Sequence, residues 1–330
     1  MISEIKTPFT QLVNCKLPII GAPMFLVSTP EMVVAVSEAG GVGSIPSLNF
    51  RPAEEFEKQV KAIRAKTEKP IGVNLIVNKS NQRQKPDLKA SLDAGVDLFI
   101  TSLGSPKEVI KEAHKNGAKV ICDVVNLEHA KKVEDLGADG VVAVCAGAGG
   151  HAGELNPFVF IPWLKANVNI PIIAAGGIAD GYSMAAALTL GASAVHVGTR
   201  FIASTEAQVN MGYKNAILKS TPEDIVLTAA VSGTPCTFIN TPSVKKMGDD
   251  IPFLLKTLKK HPLGKKLVVP LVHLLGMKKL EQSANQYGKS DIWCAGQSVG
   301  VINEVLDSKA IVEKFIAEYE LAVKNTPQSS

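Results

Sequence analysis

Apolar and polar positions along the chain fall into one phrase that occurs four times. A polar stretch with helical spacing ends at a glycine, and a run rich in Val, Ile and Phe begins two or three residues later. The four are DAGVDLFI around Gly95, KNGAKVICDVV around Gly117, DLGADGVVAVC around Gly137 and TLGASAVHVG around Gly191. Glycine tolerates the left-handed backbone that ends a helix, and the nearly continuous apolar run that follows suits a strand covered on both faces. The phrase predicts helix-to-parallel-strand traffic.

Counted through the chain, the apolar runs give eight candidate strands: 18–22, 41–46, 71–76, 96–101, 119–124, 140–144, 172–175 and 194–198. Helical patterns such as 54–66, 106–115 and 127–135 separate them. This alternation predicts an α/β fold, a closed (β/α)8 TIM barrel in preference to an open doubly wound sheet. The segment 299–324 alternates apolar and charged positions at helical spacing and is expected to close the ring of helices. Residues 206–290 carry longer helical patterns, the turn sequence SGTPC and an apolar run at 267–277. They are expected to form a small, mostly helical domain inserted after strand eight, with the barrel built from 1–205 and 291–330. A cleft between insert and barrel top is a natural substrate site.

Composition narrows the classes. The chain has 330 residues, 46% of them hydrophobic and 20% charged, enough to bury a large core. A formal net charge of +4 is spread thinly, with no basic stripe interleaved with aromatics, so nucleic acid is not an expected partner. The one basic cluster, KTLKKHPLGKK at 256–266, reads either as a solvated helix end or as a docking patch for an anionic group. Five cysteines, none in a CxxC pair, read as thiols in a reducing compartment. The first residues, MISEIKTPFTQLV, lack a secretory pattern, and the apolar runs are too short to span a membrane. A cytoplasmic protein is expected.

In a barrel, chemistry belongs at the carboxyl ends of strands. After strand seven stand Gly176 and Gly177, and after strand eight Gly198 and Thr199. Paired glycines let backbone N–H groups approach a phosphate, and the hydroxyl can donate to it. Arg200 could fork onto that phosphate or form a structural ion pair. After strand one, Ala22, Pro23 and Met24 make a small-residue turn that leaves room for a flat ligand. Asn74 interrupts an apolar strand, so its amide must serve either a ring with alternating donors and acceptors or a neighbouring backbone. Gln297, in WCAGQSVG, poses the same choice. Asp123 ends strand five, where it could bind a ribityl hydroxyl, orient a loop or cap the next helix.

The loop after strand six, CAGAGGHAGE, sets one imidazole, His151, among small residues that include Ala148 and Gly149. An imidazole exchanges protons near neutral pH, which makes His151 the candidate catalytic residue. His196, within strand eight, reads as a satisfied interior or helix-facing histidine. His114 and His129 fall in helical patterns, whereas His261 and His273 lie in the insert. No HExxH or clustered His and Cys set occurs, so no metal is expected. No GxSxG elbow occurs either, which leaves Ser232 a turn residue.

Taken together, GAPM, GVNLIV, AGAGGHAGE, IIAAGGI, GTRFIAS and the late motif DIWCAGQSVG resemble the nitronate monooxygenase family, formerly 2-nitropropane dioxygenases. Its relatives include FMN-dependent enoyl-acyl-carrier-protein reductases and NAD(P)H:quinone reductases. The resemblance implies noncovalent FMN, with its ring over Ala22–Met24 and Asn74 near its polar edge. It further implies a phosphate near Gly176, Gly177, Gly198 and Thr199, with the family's active-site histidine falling on His151. The implied reaction oxidises an alkyl nitronate with O2 to a carbonyl compound and nitrite. The alternative is NAD(P)H-dependent reduction of an enoyl thioester or a quinone. A homodimer is compatible with either. Two departures stand out: Asp123 where some relatives carry a basic residue, and Ala148 where many carry an acidic or bulkier one.

Overall fold

Eight parallel strands pair in chain order and close on themselves: β1 (Ile19–Gly21), β2 (Val42–Pro46), β3 (Ile71–Ile76), β4 (Leu98–Ser102), β5 (Lys119–Val124), β6 (Gly140–Val144), β7 (Ile172–Ala175) and β8 (Ala194–Val197). The closing pair is β8 with β1, where His196 lies opposite Ile20. The computed structural model describes residues 4–231, 235–248, 282–283 and 290–326. The expected barrel is therefore the observed one, and each expected strand matches to within two residues at either end.

Around the barrel run α2 (Pro30–Glu38), α3 (Ala53–Arg64), α4 (Gln84–Asp93), α5 (Lys107–Lys115), α6 (Leu127–Asp135), α7 (Pro157–Lys165) and α8 (Gly181–Thr189), preceded by a short α1 (Pro8–Val13). The glycines of the repeated phrase behave as read. Gly95, Gly117, Gly137 and Gly191 have φ of 72°, 76°, 90° and 107°, a region costly for residues with a Cβ. The final helix, α12 in the numbering used below (Ser308–Asn325), packs on α8 and α2 and completes the ring.

Side-chain alternation divides the strands between two cores. Outward residues such as Val73, Phe99, Val120, Val141, Ile172 and Val195 pack under the helices. Inward residues Ile20, Val42, Leu98, Ile100, Ile121, Val142, Ile173 and Ala194 fill the barrel, with Phe9 and Val13 of α1 in the same cluster. The barrel is thus a filled core, and only the positions one step further along the strands are left to meet a ligand. By the same alternation these include Asn74, Ser102, Asp123 and His196.

Between β8 and α12 lie α9 (Thr199–Ile202), α10 (Met211–Lys219), a two-stranded antiparallel sheet of β9 (Ile225–Thr228) and β10 (Cys236–Ile239), and α11 (Pro242–Met247). The sequence reading anticipated the helices of this segment but not the strand pair. Four residues of strand give little room for a period of two to show. The basic run at 256–266, the apolar run at 267–277, Ser232, His261 and His273 lie outside the described residues. Among the described residues no helix is long and apolar enough to cross a membrane, and Cys15, Cys122, Cys145 and Cys294 are free thiols.

Candidate functional site

The loops at the carboxyl ends of β1, β6, β7 and β8 meet at the barrel mouth. A methyl group built on Gly198 would lie 3.7 Å from both Ala22 Cβ and Met24 Sδ, so the ends of β8 and β1 share one surface. Ser28 stiffens the β1 turn: its hydroxyl donates to the Ala22 carbonyl at 3.1 Å and accepts from the Met24 amide at 2.8 Å. Pro23 sits between these two fixed points.

The glycines after β6 and β7 are used for close approach. Gly176 and Gly177 have φ of 111° and 75°. A Cβ at Gly176 would stand 3.0 Å from the Ala148 amide nitrogen and 3.0 Å from the Cys145 carbonyl oxygen, whereas one at Gly177 would meet nothing within 4 Å. Gly176 is therefore required by packing, and Gly177 faces open space. A Cβ on Gly147 would lie 3.4 Å from Gln297 Oε1 and 3.5 Å from the Gly177 amide nitrogen. Gln297 also donates its own amide to the Gly147 carbonyl at 3.1 Å. Thr199 Oγ1 accepts from the Gly296 amide at 3.0 Å, and Gly149 packs against both. Nine of the residues singled out in the sequence, Ala22, Met24, Ala148, Gly149, Gly176, Gly177, Gly198, Thr199 and Gln297, thus belong to one connected surface.

His151 rides on the same β6 loop. The loop is pinched at its base, where the Ala146 amide donates to the Leu155 carbonyl at 2.8 Å. Its far side is held by β10: Thr237 donates its amide to the Gly150 carbonyl at 2.8 Å and its hydroxyl to the Ala148 carbonyl at 2.7 Å. The imidazole next to that anchor is exposed.

A second group lines the other side of the mouth. Asn74 Nδ2 donates to the Ile100 carbonyl at 3.0 Å and to Ser102 Oγ at 2.8 Å. Ser102 Oγ donates in turn to Asp123 Oδ2 at 2.5 Å. Asp123 Oδ1 is shielded from water and has no partner. Burial pushes this carboxyl up to about 6, against the lowering effect of the Ser102 bond.

A family model described as nitronate monooxygenase matches residues 6–318. The chain belongs to the nitronate monooxygenase family. It is 31% identical to a probable nitronate monooxygenase of Staphylococcus saprophyticus over 76% of this chain and 83% of the relative. It is 32% identical to a Rhodococcus jostii (3aS,4S,5R,7aS)-5-hydroxy-7a-methyl-1-oxo-octahydro-1H-indene-4-carboxyl-CoA dehydrogenase, over 74% and 69%. Among solved structures it resembles FabK from Thermotoga maritima, with 35% identity, a TM-score of 0.84 and coverage of 97% and 98%. It also resembles the nitroalkane oxidase of Streptomyces ansochromogenes, at 25% identity and a TM-score of 0.79, covering 97% and 100%.

For a nitronate monooxygenase family member, the residues at this mouth fit FMN, the cofactor that the resemblance implies. Open backbone at Gly177 offers an approach for phosphate. Two shielded polar atoms on the inward rows of β5 and β8, Asp123 Oδ1 and His196 Nε2, lack partners.

Three sequence readings change. Asp123 does not cap the helix after β5, because Asn126 does, accepting from the His129 amide at 2.8 Å. His196 is interior as one alternative held, but it is not satisfied: Nε2 has no partner, and burial holds the imidazole down to about 4. Arg200 is 4% exposed and donates Nη1 to the Glu304 carbonyl at 3.0 Å. Sequence reasoning missed Ser102 and Thr237. The first was legible from strand parity, since it continues the inward series Leu98, Ile100. The second depends on a contact between residues 89 positions apart, which no local signal records.

Proposed function

We propose that the chain binds FMN noncovalently at this mouth and oxidises alkyl nitronates with O2 to a carbonyl compound and nitrite. The observation that carries the reading is the single surface formed by the glycine-rich ends of β6, β7 and β8, with His151 at its rim. Family membership supports the same class of oxidoreductase.

The flavin supplies the electron transfer. The protein's part is binding and placement. Backbone N–H groups at Gly177 and Thr199 would hold the phosphate, and the β1 turn from Ala22 to Met24, with Gln297, would hold the ring. Asn74, whose N–H groups are engaged, offers its Oδ1 as an acceptor to the polar edge of the ring. His151 orients the substrate and exchanges a proton with it, from a loop whose position Thr237 fixes. The described residues 206–231 and 235–248 stand on the substrate side of the cleft in this reading, as the β10 anchor on the β6 loop supports.

A second reading keeps the cofactor and changes the electron donor: reduction of an enoyl thioester or quinone by NAD(P)H. The likeness to FabK at 35% identity supports this second reading. Anaerobic mixing of the flavin-loaded protein with propane-2-nitronate, NADH or NADPH separates the two. Bleaching by the nitronate alone is expected; bleaching by a nicotinamide alone would overturn the first reading in favour of the second. His151→Ala is expected to keep FMN and lower turnover about 100-fold.

A further inference from the structure

The hydrogen bonds from Asn74 to Ser102 to Asp123 run in one direction. Asn74 spends both amide hydrogens, on Ile100 and on Ser102 Oγ. Ser102 has a single hydroxyl proton, and it goes to Asp123 Oδ2. The three residues come from adjacent strands, and Ser102 lies on the same inward row as Leu98 and Ile100. The open end of this ladder is Asp123 Oδ1, shielded and without a partner.

An ionised carboxylate at such a position would need a donor or a cation at Oδ1. The groups that could supply one are few. Lys119, on the same strand and face, lies toward the amino end with its Nζ 3.6 Å from Asp139 Oδ1. Of the other inward positions at the carboxyl ends, those on β1, β2, β6 and β7 (Ala22, Pro46, Val144 and Ala175) carry no charge. On β8 the position is His196, which burial keeps neutral. His151 is on the exposed loop above. The thiol of Cys122 points to the outer core, where it accepts from Thr101 at 3.2 Å.

We propose that Asp123 presents a protonated carboxyl, as a hydrogen-bond donor, to the pyrimidine edge of the bound flavin, with Asn74 and Ser102 fixing its orientation. This rests on the FMN reading above. A ligand edge with two carbonyl acceptors flanking an N–H donor is matched by an acid hydroxyl at Asp123 and an amide oxygen at Asn74. Charge favours the same arrangement. Negative charge gathers at that edge when the ring is reduced; a neutral acid donates to it, whereas a carboxylate would repel it. Reduction therefore makes Asp123 hold its proton more tightly. Where the carboxyl is ionised beside the oxidised ring, reduction draws in up to one more proton per flavin than the flavin alone requires.

The test uses the full-length, FMN-loaded chain and follows midpoint potential against pH by spectroelectrochemistry. Wild type is expected to show a steeper dependence between pH 6 and 8 than Asp123→Asn, which keeps a donor but cannot titrate. Oxidised wild-type flavin is expected to shift its absorbance as Asp123 titrates, a step that D123N lacks. Ser102→Ala removes the bond that favours the carboxylate and moves that step to higher pH. Superimposable curves for all three proteins would overturn the proposal, as would a step in wild type that S102A leaves in place. Failure of wild type to bind FMN at either end of the range is a separate result, which sinks the FMN reading itself.

Discussion

The hydroxyl of Thr237 donates to the carbonyl of Ala148 at 2.7 Å, tying a strand that follows the barrel to the loop that carries His151. The bond is partly buried, so its loss is expected to cost about 1 kcal/mol. Thr237→Val is expected to lower the melting temperature and cut kcat/KM several-fold while retaining FMN. Flavin absorbance, thermal melts and steady-state rates measured side by side check this. A variant as active as wild type would show that the anchor does not position the loop.

Asp123 has a folded-state pKa raised to about 6 from 3.8, by burial. A raised value means that its contribution is fully present at low pH and is lost as pH rises through 6. Above pH 6 the folded protein bears a strained carboxylate, at a cost of up to roughly 3 kcal/mol. Asp123→Asn is therefore expected to raise the melting temperature of the flavin-free protein at pH 8 and to leave it unchanged at pH 4. Equal effects at both pH values would mean that packing, not titration, is responsible.

His196 moves the other way. Its folded-state pKa, held down to about 4 from 6.5, gives stability that is present above pH 6.5 and lost as pH falls toward 4. The loss amounts to roughly 3 kcal/mol over that window. His196→Gln is expected to flatten the decline in urea midpoint between pH 6.5 and 4; an unchanged slope would place the acid sensitivity elsewhere.

Gly176 and Gly177 should separate folding from binding. Alanine at Gly176 must push on the backbone of Cys145 and Ala148, and Gly176→Ala is expected to destabilise the protein by about 2 kcal/mol or more. Alanine at Gly177 has room, so Gly177→Ala is expected to fold with a loss of about 1 kcal/mol and to weaken FMN binding at least tenfold. Fluorescence titration with FMN, alongside melts of both variants, distinguishes the two roles.

Much of this was legible in the chain because its information is local. Gly95, Gly117, Gly137 and Gly191 end helices by backbone conformation, and the runs after them have the continuous apolar, β-branched character of buried strands. The residues at the ends of β6, β7 and β8 could be named from the same reading, since a strand end is itself a local feature. Which way a strand residue faces was less secure for His196 and Asp123. Parity becomes decisive only once neighbouring strands fix which row is inside.

What the sequence by itself determined was the order of elements and the small-residue loops, because glycine conformation and apolar runs are properties of consecutive residues. Tertiary structure alone decided the direction of the Asn74, Ser102 and Asp123 ladder, the missing partners at Asp123 and His196, and the anchoring of the His151 loop by Thr237. Each of these depends on distances between strands far apart in the chain and on the burial that follows closure of the barrel. Burial is what raises the pKa of an ordinary aspartate and lowers that of an ordinary histidine.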